Sequence, residues 1–180
     1  MRFLGIDPST KTGLVILDDK GNPIYGAEIQ GKGKVDPFRM RTMIERIIDL
    51  VDLGDFVLIE GFGFSSIQAV ILGGQGWGIR MQLDYHSIGF TEVAPLSVKK
   101  FVGARTHYGD KGHKKRFKGP EIKKEMARAT LETLGYANKN NNVTDAYVLA
   151  YIGYAMNNPQ LWPTMGAEQM EVINLLMGAS

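Results

Sequence analysis

The chain has 180 residues, 44% of them hydrophobic and 22% charged, with a formal net charge of +2, values that fit one globular domain and exclude a disordered or low-complexity polypeptide. Cysteine is absent, which excludes a disulfide framework and any thiolate metal site. Asp7 interrupts the first apolar run before a signal-peptide core can form, and no uncharged apolar run reaches the roughly 18 residues of a membrane span, so the expectation is a cytoplasmic protein without a membrane partner.

Residues Phe3 to Ile6 form a short apolar run closed by Asp7 and broken by Pro8, the pattern of a buried strand with a carboxylate at its end. Thr12 to Asp18 predicts a second strand, and Ile24 to Ile29 a third beyond the Asn22-Pro23 turn. From Pro37 onward, Phe38, Met40, Met43, Ile44, Ile47, Ile48 and Val51 recur at helical spacing until Gly54. Asp55 to Glu60 repeats the grammar of the first strand, an apolar run ended by an acid. Ser65 and Ser66 are candidate N-caps for a helix through Leu83, with Ile67, Val70, Ile71, Trp77 and Met81 as its apolar positions. Phe90 to Ala94 predicts a fifth strand, and Ser97 to Val102 a helical turn. Gly103 to Gly119 reads as a long mobile loop. Pro120 opens a helix that ends at Gly135, Asn138 to Asn142 reads as a turn, and the last strong helix runs from near Val143 to Asn157. The expected fold class is α/β, a five-stranded mixed sheet with helices on both faces. Residues 1–158 form the expected domain, and 159–180 a tail with a short helix.

Three carboxylates stand at element ends in apolar surroundings: Asp7, Glu60 and Asp145. Acids brought together without a basic partner repel one another, and a divalent cation resolves that conflict. Oxygen donors without Cys or His point to Mg2+ or Mn2+. Two such ions about 4 Å apart serve phosphodiester cleavage. An aspartate that caps a Pro-Ser turn is the simpler reading of Asp7 taken alone.

The residues Gly5-Ile6-Asp7-Pro8-Ser9, Leu58-Ile59-Glu60 and Thr144-Asp145-Ala146-Tyr147, in that order and spacing, resemble the RuvC family of Holliday junction resolvases, a branch of the RNase H-like superfamily. Pro95 to Lys100 and a lysine at the next helix start, Lys123 or Lys124, extend the likeness, which covers roughly residues 1–157 and is nearest to bacteriophage-encoded members. The resemblance implies an RNase H-like fold and a homodimeric endonuclease that acts on four-way or branched DNA with two Mg2+ or Mn2+ ions. It implies Asp7, Glu60 and Asp145 as metal ligands. The family's fourth ligand, an Asp or His three residues before the last aspartate, is here Asn142, whose amide oxygen binds a hard cation more weakly. Lys99 and Lys123 match lysines near the scissile phosphate. Phe62 and Phe64 match a position where an aromatic enters the junction centre, with core packing as the alternative. The helix from Ser65 to Leu83 matches the dimer-forming helix, and Gly73, Gly74, Gly76 and Gly78 are expected to let the partner approach.

The segment from Lys99 to Glu125 holds ten Lys or Arg residues and three acids, a local charge of +7 that leaves −5 on the rest of the chain. Lys99, Lys100, Arg105, Lys111, Lys114, Lys115, Arg116, Lys118, Lys123 and Lys124 are the candidate phosphate contacts, joined by His107 and His113. A solvated loop is the bland reading of such a run. Three other functions compete: a less selective RNase H-like nuclease on flaps or RNA–DNA hybrids, a non-catalytic junction-binding protein if Asn142 disables the site, and an actin-like or sugar-kinase ATPase from the likeness of Asp7 to Gly13 to the first phosphate loop of those proteins. The last needs two such domains, and this length holds one.

Overall fold

The computed structural model describes residues 1–62, 69–109 and 115–178. Its central sheet is built from Phe3–Asp7 (β1), Thr12–Leu17 (β2), Pro23–Ile29 (β3), Phe56–Glu60 (β4) and Phe90–Val93 (β5). Their spatial order is β3-β2-β1-β4-β5, with β1, β2 and β3 antiparallel and β4 and β5 parallel to β1. Every residue of β1 and β2 is buried, as expected for strands covered on both faces.

Helices Phe38–Ile48 (α1) and Ala69–Tyr85 (α2) cover one face. Leu4, Ile6, Val57 and Ile59 point to them and share a core with Met43, Ile47, Ile79 and Leu83. Successive strand residues alternate between faces. Phe3, Gly5 and Asp7 therefore point the other way, as do Leu58 and Glu60. That second face is covered by Asn141–Met156 (α5), which is apolar nearly all round because it lies between the sheet and three further helices. Those are Pro95–Phe101 (α3), Gly119–Leu134 (α4) and Ala167–Leu176 (α6), the last reached through a 3-10 helix, Pro159–Thr164. Val172 and Ile173 of α6 are buried in this layer beside Val98, Phe101 and Ile152.

Four expectations need correction. Asn141 and Asn142 belong to α5 and not to a turn, because the Asn140 side chain caps the helix by accepting from the N–H groups of Asn142 and Val143 (2.9 and 3.3 Å). Helix α3 starts at Pro95, whose fixed φ suits the first helical position. The segment expected to be one loop contains an antiparallel ribbon, His107–Tyr108 (β6) with Lys115–Arg116 (β7), stiffened by the stacked rings of Tyr108 and Phe117 5.1 Å apart. On α2 the expected apolar positions Val70, Ile71, Trp77 and Met81 are exposed, and the buried face is Gln75, Gly76, Ile79, Arg80 and Leu83. Two of its glycines serve packing within the chain: a Cβ on Gly76 would meet the Phe62 ring at 2.6 Å, and one on Gly78 would meet Ile44 at 2.5 Å. Ser65, Ser66 and Ile67 lie outside the described residues.

Candidate active site

Strands β1 and β4 run parallel in direct pairing, Ile6 beside Ile59, so Asp7 and Glu60 leave the sheet side by side at its carboxyl edge. Both point towards α5. The helix reaches them because β1 and β2 carry glycine where it crosses. A Cβ on Gly5 would lie 1.9 Å from the Ala146 carbonyl oxygen and 2.5 Å from the Ala150 nitrogen, contacts no side chain could make. This close seating brings Asp145, one turn into α5, to the same edge. The expected cluster of Asp7, Glu60 and Asp145 is thus assembled from three separate elements.

Its electrostatics are strained. Asp7 is 7% exposed, and its carboxyl is pushed well above the usual carboxylate range, first by burial, then by the charges of Glu60 and Asp145 and by a hydrogen bond with Glu60. Asp145 is pushed up to about 7, mainly by burial and then by Glu60, with Lys99 and Lys123 opposing the shift. Those two lysines, from α3 and α4, are thus near enough for their charges to act on Asp145. The Lys99 ammonium also donates to the Pro95 carbonyl at 3.2 Å.

The fit to a divalent cation can be judged on one atom. Asp145 Oδ1 is buried and has no hydrogen-bond partner among the described residues. A buried carboxylate oxygen left without a donor is costly, and a hard cation is the natural complement. Among the described residues no group of three or more Asp, Glu or His side chains stands in an arrangement that could hold a metal ion. The donor set fits the group in its chemistry.

Asn142 sits one turn before Asp145, with its amide nitrogen donating to the Lys11 carbonyl at 2.8 Å and to the Glu28 carboxylate at 3.2 Å. Glu28 on β3 was not singled out from the sequence. Nothing near it in the chain marks it, because its partners Asn140 and Asn142 lie more than a hundred residues away.

A second residue missed from the sequence is Arg80. It is 2% exposed and joins three elements: Nε donates to Glu92 Oε1 on β5 at 2.5 Å, one terminal nitrogen to the Gly76 carbonyl at 2.9 Å, and the other to the Glu60 carbonyl at 3.0 Å. Its guanidinium also lies 4.3 Å from the centre of the Phe62 ring, which packs against Trp77 at 5.6 Å. Phe62 is therefore half-buried and held in place, while Phe64 lies outside the described residues.

The basic residues divide into two groups. Lys115, Arg116, Lys118, Lys123 and Lys124 are exposed on the β6–β7 ribbon and the start of α4. Arg105 is engaged: it donates to Glu125 at 2.9 Å, and Arg128 binds the same carboxylate, holding Glu125 down to about 2. Lys100 pairs with Glu171 of α6. His107 is exposed on the ribbon, and Lys111, His113 and Lys114 lie outside the described residues.

No protein-family model matches the chain, and no curated protein matches it. Solved structures do. The chain is similar to Thermus thermophilus RuvC in complex with a Holliday junction substrate, at 17% identity and a TM-score of 0.59, over 89% of this chain and 96% of that one. It is also similar to a second Thermus thermophilus RuvC structure, at 17% identity and a TM-score of 0.59, over 90% of this chain and 97% of that one. The likeness establishes the fold: an RNase H-like α/β domain with a five-stranded mixed sheet.

Proposed function

We propose that this chain is a structure-selective endonuclease that cleaves four-way or branched DNA by metal-assisted phosphodiester hydrolysis. The observation that carries the reading is the buried contact of Asp7 with Glu60 on adjacent parallel strands, with Asp145 beside them and Lys99 and Lys123 facing. The likeness in fold to a RuvC solved on a Holliday junction supports the choice of substrate class. The reading implies action in a bacterial cytoplasm, where a host or phage resolvase meets recombining DNA.

Asp7, Glu60, Asp145 and the amide oxygen of Asn142 would hold Mg2+ or Mn2+, as two ions. Such ions supply an activated water and stabilise the leaving oxygen. The chain's own residues do the rest. Lys99 and Lys123 place positive charge where negative charge grows on the scissile phosphate. The exposed lysines and arginine of the ribbon hold the DNA backbone and set its register without reading bases. Phe62, backed by Arg80 and Trp77, offers a ring to the junction centre, with Phe64 two residues further along the chain.

The active form in this reading is a two-fold dimer through α2. Val70, Trp77, Met81 and Tyr85 make an exposed apolar stripe along that helix. A two-fold pair matches the symmetry of a junction that needs two cuts. Trp77→Glu would then sediment as a monomer that nicks instead of cutting in pairs. In this reading residues 1–158 are the catalytic domain, and the tail from 159 supports α3.

The experiment is a cleavage panel with Mg2+ or Mn2+ over a four-way junction, a flap, linear duplex and an RNA–DNA hybrid. Preference for the junction with paired cuts supports the proposal. Equal cutting of flaps or hybrids points to the less selective nuclease. Tight junction binding without cleavage points to a binding protein.

A further inference from the structure

The pairing register puts Glu28 opposite Gly13, and Gly13 opposite Asp7. Residues paired across antiparallel strands share a face, so Glu28, Gly13 and Asp7 form one row that looks towards α5. Gly13 leaves a gap in this row, and the first turn of α5 fills it. Glu28 meets that turn from beneath. Its Oε2 accepts from the Asn140 amide at 2.7 Å and from the Asn142 amide at 3.2 Å. Its Oε1 accepts from Gln30 at 2.9 Å and lies 3.7 Å from the Lys11 ammonium.

An amide nitrogen carries two hydrogens. In Asn142 one goes to the Lys11 carbonyl and the other to Glu28. The planar amide therefore turns Oδ1 away from both acceptors. Asn142 and Asp145 are three residues apart on a helix and share a side of it, and both hydrogen bonds of the Asn142 side chain run through its nitrogen, which leaves Oδ1 as its remaining donor atom for a cation. An aspartate at 142 would set a carboxylate against a carbonyl and a second carboxylate, turning two hydrogen bonds into two repulsions.

We propose that position 142 is built for an amide, and that Glu28 is its positioning residue: Glu28 and the Lys11 carbonyl hold the Asn142 nitrogen so that Oδ1 is the oxygen presented to the cation. The inference rests on the metal-dependent nuclease reading. It makes Asn142 a fitted donor, and it makes Asp at 142 a worse residue in this chain despite the extra charge.

The test uses the full chain without DNA and reads Mn2+ affinity by calorimetry and urea unfolding in EDTA. Asp7→Asn first identifies the site, by abolishing Mn2+ binding. Glu28→Ala weakens Mn2+ binding about tenfold, the scale for partners that orient a metal ligand. Glu28→Gln, which keeps one acceptor, loses less. In an Asn142→Ala background Glu28→Ala changes affinity no further. In EDTA, Asn142→Asp lowers the urea midpoint, and adding Glu28→Gln recovers part of the loss, because a Gln amide can donate to the new carboxylate. Mn2+ binding that depends on Asp7 but not on Glu28 overturns the inference and leaves the nuclease reading standing. An equal effect of Glu28→Ala with and without Asn142 also overturns it, as does an Asn142→Asp chain as stable as the parent. A chain with no Asp7-dependent Mn2+ binding overturns the nuclease reading together with the inference.

Discussion

Gly13 on β2 faces Asn142 at the first turn of α5 so closely that a Cβ on the glycine would lie 1.9 Å from the Asn142 carbonyl oxygen. Gly5 stands in the same relation to Ala146 one turn later. These two glycines set the distance between the strand that carries Asp7 and the helix that carries Asp145. Gly13→Ala or Gly5→Ala must push backbone against backbone, which no rotamer change relieves. Each is expected to cost about 3 kcal/mol or more in urea unfolding, at the upper end of overpacking effects. Gly119→Ala, which meets nothing within 4 Å, serves as the control and should change stability by less than about 1 kcal/mol.

Arg80 ties the end of β4, which carries Glu60, to α2 and to Phe62. Its planar fork reaches three acceptors at once, a geometry lysine does not reproduce. Arg80→Lys and Arg80→Ala are both expected to destabilise, by about 3 kcal/mol for alanine, since buried carbonyls lose their donors. Both should also loosen Phe62, read as increased quenching of the neighbouring Trp77 fluorescence by acrylamide. A lysine variant with parental stability would show that the fork is dispensable.

How much of this was legible in the sequence depends on range. Asp7 and Glu60 could be read because an apolar run closed by an acid is a local pattern. Lys99 and Lys123, singled out through the family resemblance, lie near enough for their charges to act on Asp145. The inner face of α2 could not be read. With Val70, Ile71, Trp77 and Met81 on one side and Ile79 and Leu83 on another, the helix is apolar all round, and its buried side holds an arginine whose partner Glu92 lies on β5. The β6–β7 ribbon was missed because strands of two residues carry no periodicity. The start of α5 was misread because an Asn-rich run resembles a turn until Asn140 is seen to cap a helix.

The acid cluster makes the metal-free protein sensitive to pH. The Asp145 carboxyl titrates near 7 in the folded chain, against 3.8 for an ordinary aspartate. Between about pH 4 and 7 the unfolded chain releases this proton more readily than the folded one, so stability falls as pH rises through that window. Asp7, shifted in the same direction, adds to the fall. In EDTA the urea midpoint should drop from pH 5 to pH 8, and Asp145→Asn should drop less. Mg2+ at pH 8 should offset the loss in the parent. Equal slopes for parent and variant would mean that Asp145 does not titrate in this range.

Among the described residues the exposed cations of the β6–β7 ribbon and the start of α4 have no acidic partner, whereas Arg105 and Lys100 are paired with acids. Neutralising Lys115, Arg116, Lys118 and Lys123 together should therefore lower the slope of log affinity on log salt, by up to roughly 0.9 for each phosphate left without its cation. Neutralising Arg105 and Lys100 should lower it less for each residue changed. Equal effects from the two groups would make their ion pairs irrelevant to DNA binding.

The central claim is that Asp7, Glu60 and Asp145 form one metal-dependent centre that cuts branched DNA. The most direct measurement is cleavage of a synthetic four-way junction by the parent chain and by Asp7→Asn, each with Mg2+, with Mn2+ and with EDTA, alongside junction binding in the same buffers. The account predicts paired cuts by the parent only with a divalent ion, and no cuts by Asp7→Asn although it still binds the junction. Cleavage that survives Asp7→Asn or EDTA would contradict it, as would a parent chain that binds the junction with either ion present and leaves it whole.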